Sequence, residues 1–408
     1  MSGLVETRIG LHGAGCASVD GFGVAQPDGW RGKRCGWWIA ASDRWHDPRT
    51  SVSIRQQRLG GTPVVQTKLG VPGGDVVQRV FVVADHGGRL VMQVENASPE
   101  PVVVAVPSGH MSTTAATGGM RPHGIETPSD VLAFPLSHRS TVTFAWALTT
   151  PRLRRSAPID AGSLPTHDHV SRGWTLASDR ASRLQPDATA MVAARSDVAL
   201  MTVRDLESLA QHDAALGVLA LSERVRMGDP VTEWVTFIAD GVRRVARYPE
   251  RSRWSQRALM LAARTLHAAG ESTAVDDVVD LWQNVRQLAT GLDAAPVVGD
   301  APTATDFADA VERIAKLESR YLRLLTRNAA EVLPFGIPDE WRGVNVEAHG
   351  LVATPEHRVS MALRWHGPNL ALLWEVDGPA GLQLTAPAVD QHFLGTAGQG
   401  EALLRMTQ

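Results

Sequence analysis

Carboxylates beside aromatic or otherwise atypical neighbours are the residues of this 408-residue sequence best suited to chemistry. Two such groups could cleave a glycosidic bond if they lay across it, about 5 Å apart for retention of configuration or about 6.5–9.5 Å for inversion. Burial would have to raise the pKa of one of them so that it could donate a proton. The candidates for this catalytic pair are Glu233, Asp240, Asp339 and Glu340, and similar surroundings mark Asp43, Glu347 and Glu375.

Each of the four candidates also has a structural interpretation, which we prefer. Glu233 and Asp240 are seven positions apart, so on a single helix they would share a face. Arg243 and Arg244 could pair with them at a solvated surface. The run Asp339-Glu340-Trp341 suits the start of a helix or a turn.

Tryptophan is unusually abundant, with 12 Trp against 2 Tyr. An indole face can stack on the apolar face of a sugar ring while nearby charged groups bind its hydroxyls. The alternative is ordinary core packing, which the helical spacing around Trp282 favours for that residue. The predicted ligand-binding group is Asp43, Arg44, Trp45, His46 and Trp341.

Other chemistries have weaker signals. His167-Asp168-His169 is the only tight cluster of metal-ligand types, and a polar linker explains it as well, so we predict neither a metal nor a cofactor. The sequence contains no Gly-x-Ser-x-Gly and no Walker loop, and Gly13-x-Gly15 lacks the third glycine of a dinucleotide-binding motif. Cys16 and Cys35 are too few for a disulfide framework; we expect two thiols, although a bridge between them stays open.

The charge balance excludes one class of partner. Lys and Arg number 40 against 43 Asp and Glu, so no basic excess points to nucleic acid. Apolar stretches such as 102–106 are far shorter than the roughly 18 residues of a membrane span. Residues 1–11 include charges and no apolar run typical of a signal peptide. We therefore expect a cytoplasmic protein with no nucleic-acid or membrane partner; homo-oligomers are left open.

The elements that would position these residues change type along the chain. Residues 1–150 predict an antiparallel β-sandwich, because short β-branched runs recur without intervening helices. Pro72-Gly73 would reverse the first hairpin. That hairpin joins strands at 64–71 and 76–83, a second pair of strands is predicted at 90–95 and 102–106, and two more strands are predicted at 131–136 and 141–148.

Residues 151–186 are predicted as a linker and 187–332 as an α-helical array. Val275, Val278, Val279 and Trp282 recur every three or four residues behind the capping signal Thr273-x-x-Asp276. About six helices, antiparallel to one another, are expected at 187–209, 214–226, 231–247, 256–269, 273–285 and 307–324.

Strand signals return in 333–408, which is predicted as a C-terminal β unit. Strands are expected at 344–351, 359–365, 370–376 and 382–385, with Gly367-Pro368-Asn369 as a turn. The predicted fold class is α+β and multidomain.

Several motifs resemble known proteins. The residues concerned are Asp43-Arg44-Trp45-His46, Gly61-Thr62-Pro63-Val64-Val65, Val71-Pro72-Gly73-Gly74-Asp75 and Val94-Glu95-Asn96-Ala97-Ser98-Pro99. They resemble the β-sandwich that precedes the helical (α/α) toroid of many glycoside hydrolases and phosphorylases. The whole chain is also similar to a family from GC-rich bacteria that shares Leu363-Arg364-Trp365-His366-Gly367 and Leu373-Trp374-Glu375.

The resemblance implies a carbohydrate ligand and a ring of helices. A complete toroid of twelve helices would need roughly 170–240 residues, whereas 187–328 holds about half of it. We therefore expect a partial toroid that binds carbohydrate with degenerate or no catalysis. The alternatives are an active glycoside hydrolase with an Asp/Glu pair in a Trp-lined cleft, and a structural or protein-interaction module.

Overall fold

The computed structural model describes residues 6–11, 15–30, 33–116, 118–128, 130–148, 159–288, 307–367 and 369–405. It confirms the α+β class, with antiparallel sheets first, helices in the middle and strands at the end. The chain divides into two compact units, Met1–Thr175 and Leu176–Gln408. This division falls inside a helix within the segment predicted as a linker.

The first unit is built from short strands. They are β1 (Thr7–Leu11), β2 (Gly15–Val19), β3 (Ala25–Pro27), β4 (Trp38–Ala40), β5 (Trp45–His46), β6 (Ile54–Arg58), β7 (Val65–Val71), β8 (Gly74–Val83), β9 (Arg89–Asn96), β10 (Val102–Pro107), β11 (Ser112–Thr113), β12 (Val131–Leu136) and β13 (Thr141–Ala147). They form a three-stranded sheet β1-β2-β3, a four-stranded sheet β12-β10-β4-β5 and a six-stranded sheet β11-β13-β9-β8-β7-β6, all antiparallel.

The two larger sheets face each other as a sandwich. Phe134 on β12 and Phe144 on β13 meet in its core with ring centroids 5.4 Å apart. The predicted first hairpin is confirmed: Val71 pairs with Gly74, and Gly73 has a φ of +75° that glycine adopts at no steric cost.

The predicted pairing of 90–95 with 102–106 is wrong, although both strands exist, and the strands predicted at 131–136 and 141–148 are confirmed as β12 and β13. β9 pairs with β8 and β13 in the six-stranded sheet, and β10 pairs with β12 and β4 in the four-stranded sheet. The connection from β9 to β10 and the connection from β12 to β13 therefore each cross from one sheet to the other. Asn96 stabilises both connections, because its side-chain amide donates to the carbonyls of Glu100 and Leu136 over 2.7 and 3.2 Å.

The second unit contains most of the helices. The α-helices in the described part of the chain are α1 (His167–Ala181), α2 (Ala188–Ala199), α3 (Val203–His212), α4 (Ala214–Met227), α5 (Val235–Arg247), α6 (Ser255–Ala268), α7 (Ser272–Leu288) and α8 (Phe307–Ser319). Helix α1 lies within 151–186, the segment predicted as a linker. None of the helices in the described ranges combines the length and the apolar composition that crossing a bilayer demands.

Two predicted helices differ from the structure. The helix expected over 187–209 is split into α2 and α3, because Thr202 and Asp205 form a reciprocal capping box that starts a new helix. The helix expected over 307–324 ends at Ser319, and the chain continues as a strand. The described part of 187–328 therefore contains seven α-helices instead of about six.

The second unit also holds two sheets. Its strands are β14 (Arg183–Gln185), β15 (Leu322–Thr326), β16 (Ala329–Val332), β17 (Val346–Val352), β18 (Arg358–His366), β19 (Asn369–Asp377), β20 (Gln383–Ala386), β21 (Asp390–Gly395) and β22 (Gln399–Leu404). One sheet has the order β14-β17-β18-β19-β22 and the other β15-β16-β20-β21, in which β16 and β20 run parallel. Helices and strands share one core, in which Leu219 and Leu259 belong to the same apolar cluster as Leu363 and Leu372.

Candidate functional site

Trp45 lies on β5, the edge strand of the four-stranded sheet in the first unit. Its indole is half-buried and packs against the apolar cluster around Trp38 on the outer side of that sheet. The indole Nε1–H donates to the carbonyl of His123 over 2.7 Å, which fixes the ring orientation. The ring is therefore held by one edge.

Three neighbours of Trp45 in sequence also lie together at this corner. His46 is buried, and its Nε2 lies 2.9 Å from Oδ1 of Asp43. This hydrogen bond is the main reason why the pKa of the Asp43 carboxyl lies below its ordinary value. The Arg44 side chain is 74% exposed, with its Nε 3.8 Å from Asp43 Oδ2. Residues 43–46, which we name the Trp45 corner, thus combine an ionised acceptor, an exposed donor and a half-buried indole within four positions of the chain.

A second charged pair stands next to the Trp45 corner, and the sequence reasoning missed it. Asp47 accepts a hydrogen bond from the Trp38 indole over 3.3 Å. Arg49 binds the same carboxylate in a bidentate manner, at 3.1 and 2.9 Å. The sequence signal was available, because Asp47-Pro48-Arg49 directly follows the quoted motif.

Trp341, the fifth residue of the predicted ligand-binding group, is a core residue with 1% of its surface exposed. The Tyr321 ring centroid lies 4.7 Å away, and the Arg320 guanidinium carbon lies 4.7 Å from the Trp341 ring. A sugar cannot stack on an indole enclosed in this way. Trp341 belongs to the second unit and Trp45 to the first.

The predicted catalytic residues Glu233 and Asp240 do not lie on one helix, contrary to the sequence-based expectation. Glu233 ends an exposed 3₁₀ turn, and Asp240 is an exposed residue of α5. The buried Trp234 separates them, with the Arg224 guanidinium carbon 4.6 Å from its ring.

The other predicted catalytic residues agree with the turn interpretation. Asp339 and Glu340 lie in a 3₁₀ turn after Pro338. Asp339 is 95% exposed and pairs with Arg342 at 3.1 Å. Glu340 accepts a hydrogen bond from Arg320 over 2.6 Å.

Arg320 also joins Glu340 to a carboxylate that the sequence reasoning did not single out. Its Nη1 lies 3.4 Å from Oδ2 of Asp187, to which the Tyr321 hydroxyl donates over 3.0 Å. Burial, and secondarily Asp187, raise the pKa of the Tyr321 hydroxyl above its ordinary value. A guanidinium thus occupies the space between Asp187 and Glu340, where a glycosidic bond would have to lie.

The remaining polar motifs are held by local contacts. His167 starts α1 with its Nδ1 2.7 Å from Gln93 Oε1, and His169 Nδ1 lies 3.1 Å from Thr166 Oγ1. Across the described ranges, no three His, Cys, Asp or Glu side chains are grouped in a way that could hold a metal ion.

Glu347 and Glu375, the further carboxylates noted in the sequence, lie on strands of the five-stranded sheet that are separated by β18. Glu347 on β17 pairs with Arg364, which is the main cause of the low pKa of this carboxyl, and lies 3.2 Å from His349 Nε2. Glu375 is exposed on β19 opposite Ser360.

The largest polar feature of the second unit was also missed. It is a buried network of Arg195, Glu223, Arg226, Arg257 and Glu318, in which Glu318 pairs with all three arginines. Arg195 follows the apolar run 190–194 of α2, and Glu223 follows the apolar run 214–221 of α4 after one serine; charges next to such runs are a usable sequence signal.

Comparison with known proteins adds no relative. No protein-family model matches this chain, and no curated protein is significantly similar to it. The resemblance to glycoside hydrolases stays a prediction.

Proposed function

We propose that the first unit binds a carbohydrate at the Trp45 corner. The observation that carries the proposal is the half-buried Trp45 indole, which its N–H fixes to the His123 carbonyl, in the same short segment as the exposed residues Asp43 and Arg44. An indole held at one edge can stack on the apolar face of a pyranose ring without first losing side-chain freedom.

The flanking charges supply polar recognition. Asp43 accepts hydrogen bonds from sugar hydroxyls, and its hydrogen bond to His46 holds the carboxylate in place. The exposed Arg44 donates to hydroxyl or ring oxygens. The sandwich architecture supports the proposal, because it places this group on a sheet edge.

We propose binding without cleavage. Glu233 and Asp240 are exposed residues of separate elements, and arginines engage both Asp339 and Glu340. Hydrolysis requires two carboxyl groups facing the same bond. If oligosaccharides are hydrolysed and Glu340→Gln abolishes this, the active-hydrolase alternative replaces the non-cleaving proposal.

The test is calorimetric titration of the full chain with a panel of mono- and oligosaccharides, supported by thermal shift. At least one sugar should bind, and Trp45→Ala should weaken its binding about tenfold or more through lost stacking.

Trp30→Ala is the matched control. Trp30 is a half-buried tryptophan of the same unit whose indole also donates to a backbone carbonyl, that of Ala147, over 3.0 Å. The proposal would be rejected if Trp45→Ala and Trp30→Ala weakened sugar binding equally, or if no sugar bound. Either result would favour the alternative of a protein-interaction module.

A further inference from the structure

The buried network of the second unit contains more arginines than carboxylates. Among the residues that the structure describes, Arg195, Arg226 and Arg257 form ion pairs with two carboxylates, those of Glu223 and Glu318. One positive charge is left over in an environment of low dielectric constant, where an uncompensated charge is costly.

Three more arginines lie on elements close to Arg226. Arg226 Nη2 donates to the carbonyl of Ala181 over 3.0 Å, and the preceding residue in α1 is Arg180. The Arg180 guanidinium lies against Gly228, the residue that ends α4: a Cβ added to Gly228 would stand 2.8 Å from Arg180 Nη1. The C-terminal ends of α1 and α4, which contain Arg180 and Arg226, thus lie next to each other.

The other two arginines come from α6 and β18. Arg264 Nη1 donates to the carbonyl of Pro355 over 2.9 Å, in the turn that leads to Arg358, the first residue of β18. Both side chains are half-buried, and Arg358 Nε is buried without a hydrogen-bond partner in the described part of the chain. Arg257 and Arg264 are seven positions apart on α6, so the same helix face joins this group to the buried network.

The electrostatics agree with this geometry. Partial burial lowers the pKa of the Arg264 guanidinium, and the charges of Arg358 and Arg226 lower it further. Burial and the charges of Arg226 and Arg180 lower the pKa of Arg358 in the same way. Asp377, opposite Arg358 in the strand register, is the carboxylate near both. Within the described ranges, no carboxylate oxygen lies within 4.0 Å of Arg180, Arg264 or Arg358.

We propose that Arg180, Arg264 and Arg358, backed by Arg226, form a binding site for a phosphoryl group. A dianionic phosphoryl group compensates more charge than a carboxylate does, and its terminal oxygens can accept hydrogen bonds from several guanidinium groups at once. The group could belong to inorganic phosphate or to a phosphorylated small molecule. In this proposed site, the exposed Arg180 lies on the side open to solvent, and the buried Arg226 lies on the side facing the protein interior.

The test is titration of the full chain with inorganic phosphate, glucose 6-phosphate and unphosphorylated glucose, at ionic strength matched with sodium chloride. We expect both phosphate compounds to bind and to raise the melting temperature more than chloride does. Tighter binding of glucose 6-phosphate than of phosphate would identify a phosphorylated small molecule as the ligand type, and equal binding would identify phosphate itself. Stabilisation equal to that in chloride would overturn the proposal.

Substitutions locate the site. Arg180→Gln, Arg264→Gln and Arg358→Gln should each weaken phosphate binding about tenfold, the typical effect of losing a charged hydrogen bond. Arg243→Gln, which changes an exposed arginine of α5, is the matched control and should leave binding unchanged. Because Arg180 is exposed, we expect Arg180→Gln to fold and to test the proposed site even if the variants of the half-buried Arg264 and Arg358 do not fold. Unchanged phosphate binding by Arg180→Gln would overturn the proposed site. Trp45→Ala should leave phosphate binding unchanged.

Discussion

Arg195 and Glu318 form an ion pair in the interior of the second unit, with 0% and 3% of their side chains exposed and 2.8 Å between Nη2 and Oε1. Arg195 lies on α2 and Glu318 on α8, and the two residues are 123 positions apart in the sequence. Arg195 also donates to the carbonyls of Ser178 and Ser182, at 2.9 and 2.6 Å. The pair therefore ties the end of α1 to two other helices, and it is stable only because its polar atoms are extensively satisfied.

Replacing Glu318 by Gln should destabilise the protein strongly. The substitution keeps the shape but leaves Arg195, Arg226 and Arg257 with Glu223 as their remaining carboxylate in the network. Removing one partner of a buried ion pair typically costs about 3–5 kcal/mol. Urea denaturation measures the free energy of unfolding.

Glu312→Gln is the control for this substitution. Glu312 lies on the same helix and pairs with Arg253 and Lys316 at the surface, where ion pairs contribute at most about 1 kcal/mol. Similar losses of unfolding free energy in Glu318→Gln and Glu312→Gln would show that burial does not determine the strength of the Glu318 ion pairs.

The contribution of Glu318 to the unfolding free energy should disappear at acidic pH. Burial by itself would raise the pKa of this carboxyl, but Arg226, Arg257 and Arg195 more than offset it and hold the pKa well below the ordinary 4.5. Because the folded-state pKa is the lower one, the stabilisation is complete above about pH 4.5 and is lost as the pH falls toward the folded value. The difference in unfolding free energy between wild type and Glu318→Gln should shrink from pH 5 to pH 3. A constant difference over this interval would contradict the assignment.

Trp341 and Trp45 should respond differently to truncation. Trp341→Ala removes a fully buried side chain from the core and should cost about 3–5 kcal/mol of unfolding free energy. Trp45→Ala removes a half-buried ring and should cost about half as much or less. Chemical denaturation of the two variants measures both values, and an equal loss would show that Trp45 is also a core residue.

Cys35 should resist thiol reagents until the protein unfolds. It is completely buried, and burial raises the pKa of its thiol, whereas only the thiolate is reactive. In Cys16→Ser, labelling of Cys35 should therefore follow the unfolding transition. In Cys35→Ser, the half-buried Cys16 should react faster under native conditions, and equal rates in the two variants would contradict the burial of Cys35.

Features that depend on neighbouring residues were predictable from the sequence. Pro72-Gly73 makes its hairpin because proline fixes one φ angle and glycine permits a positive one, whatever the rest of the chain does. Helix α7 follows from apolar residues every three or four positions. The strand at 102–106 was also predictable, but its partner was not, because β-branched runs pair equally well with several others.

The same limit applies to the candidate sites. Trp45 and Trp341 each follow charged residues, so the sequence did not distinguish an edge-strand indole from a core one. The composition indicated that the chain has enough apolar residues to fold without a disulfide framework. The periodicity of those residues indicated where the strands end and the helices begin. Only the tertiary structure decided which charges are buried together, such as Arg195 with Glu223 and Glu318. Burial and charge proximity arise between residues distant in the chain, and local spacing contains no information about those distances.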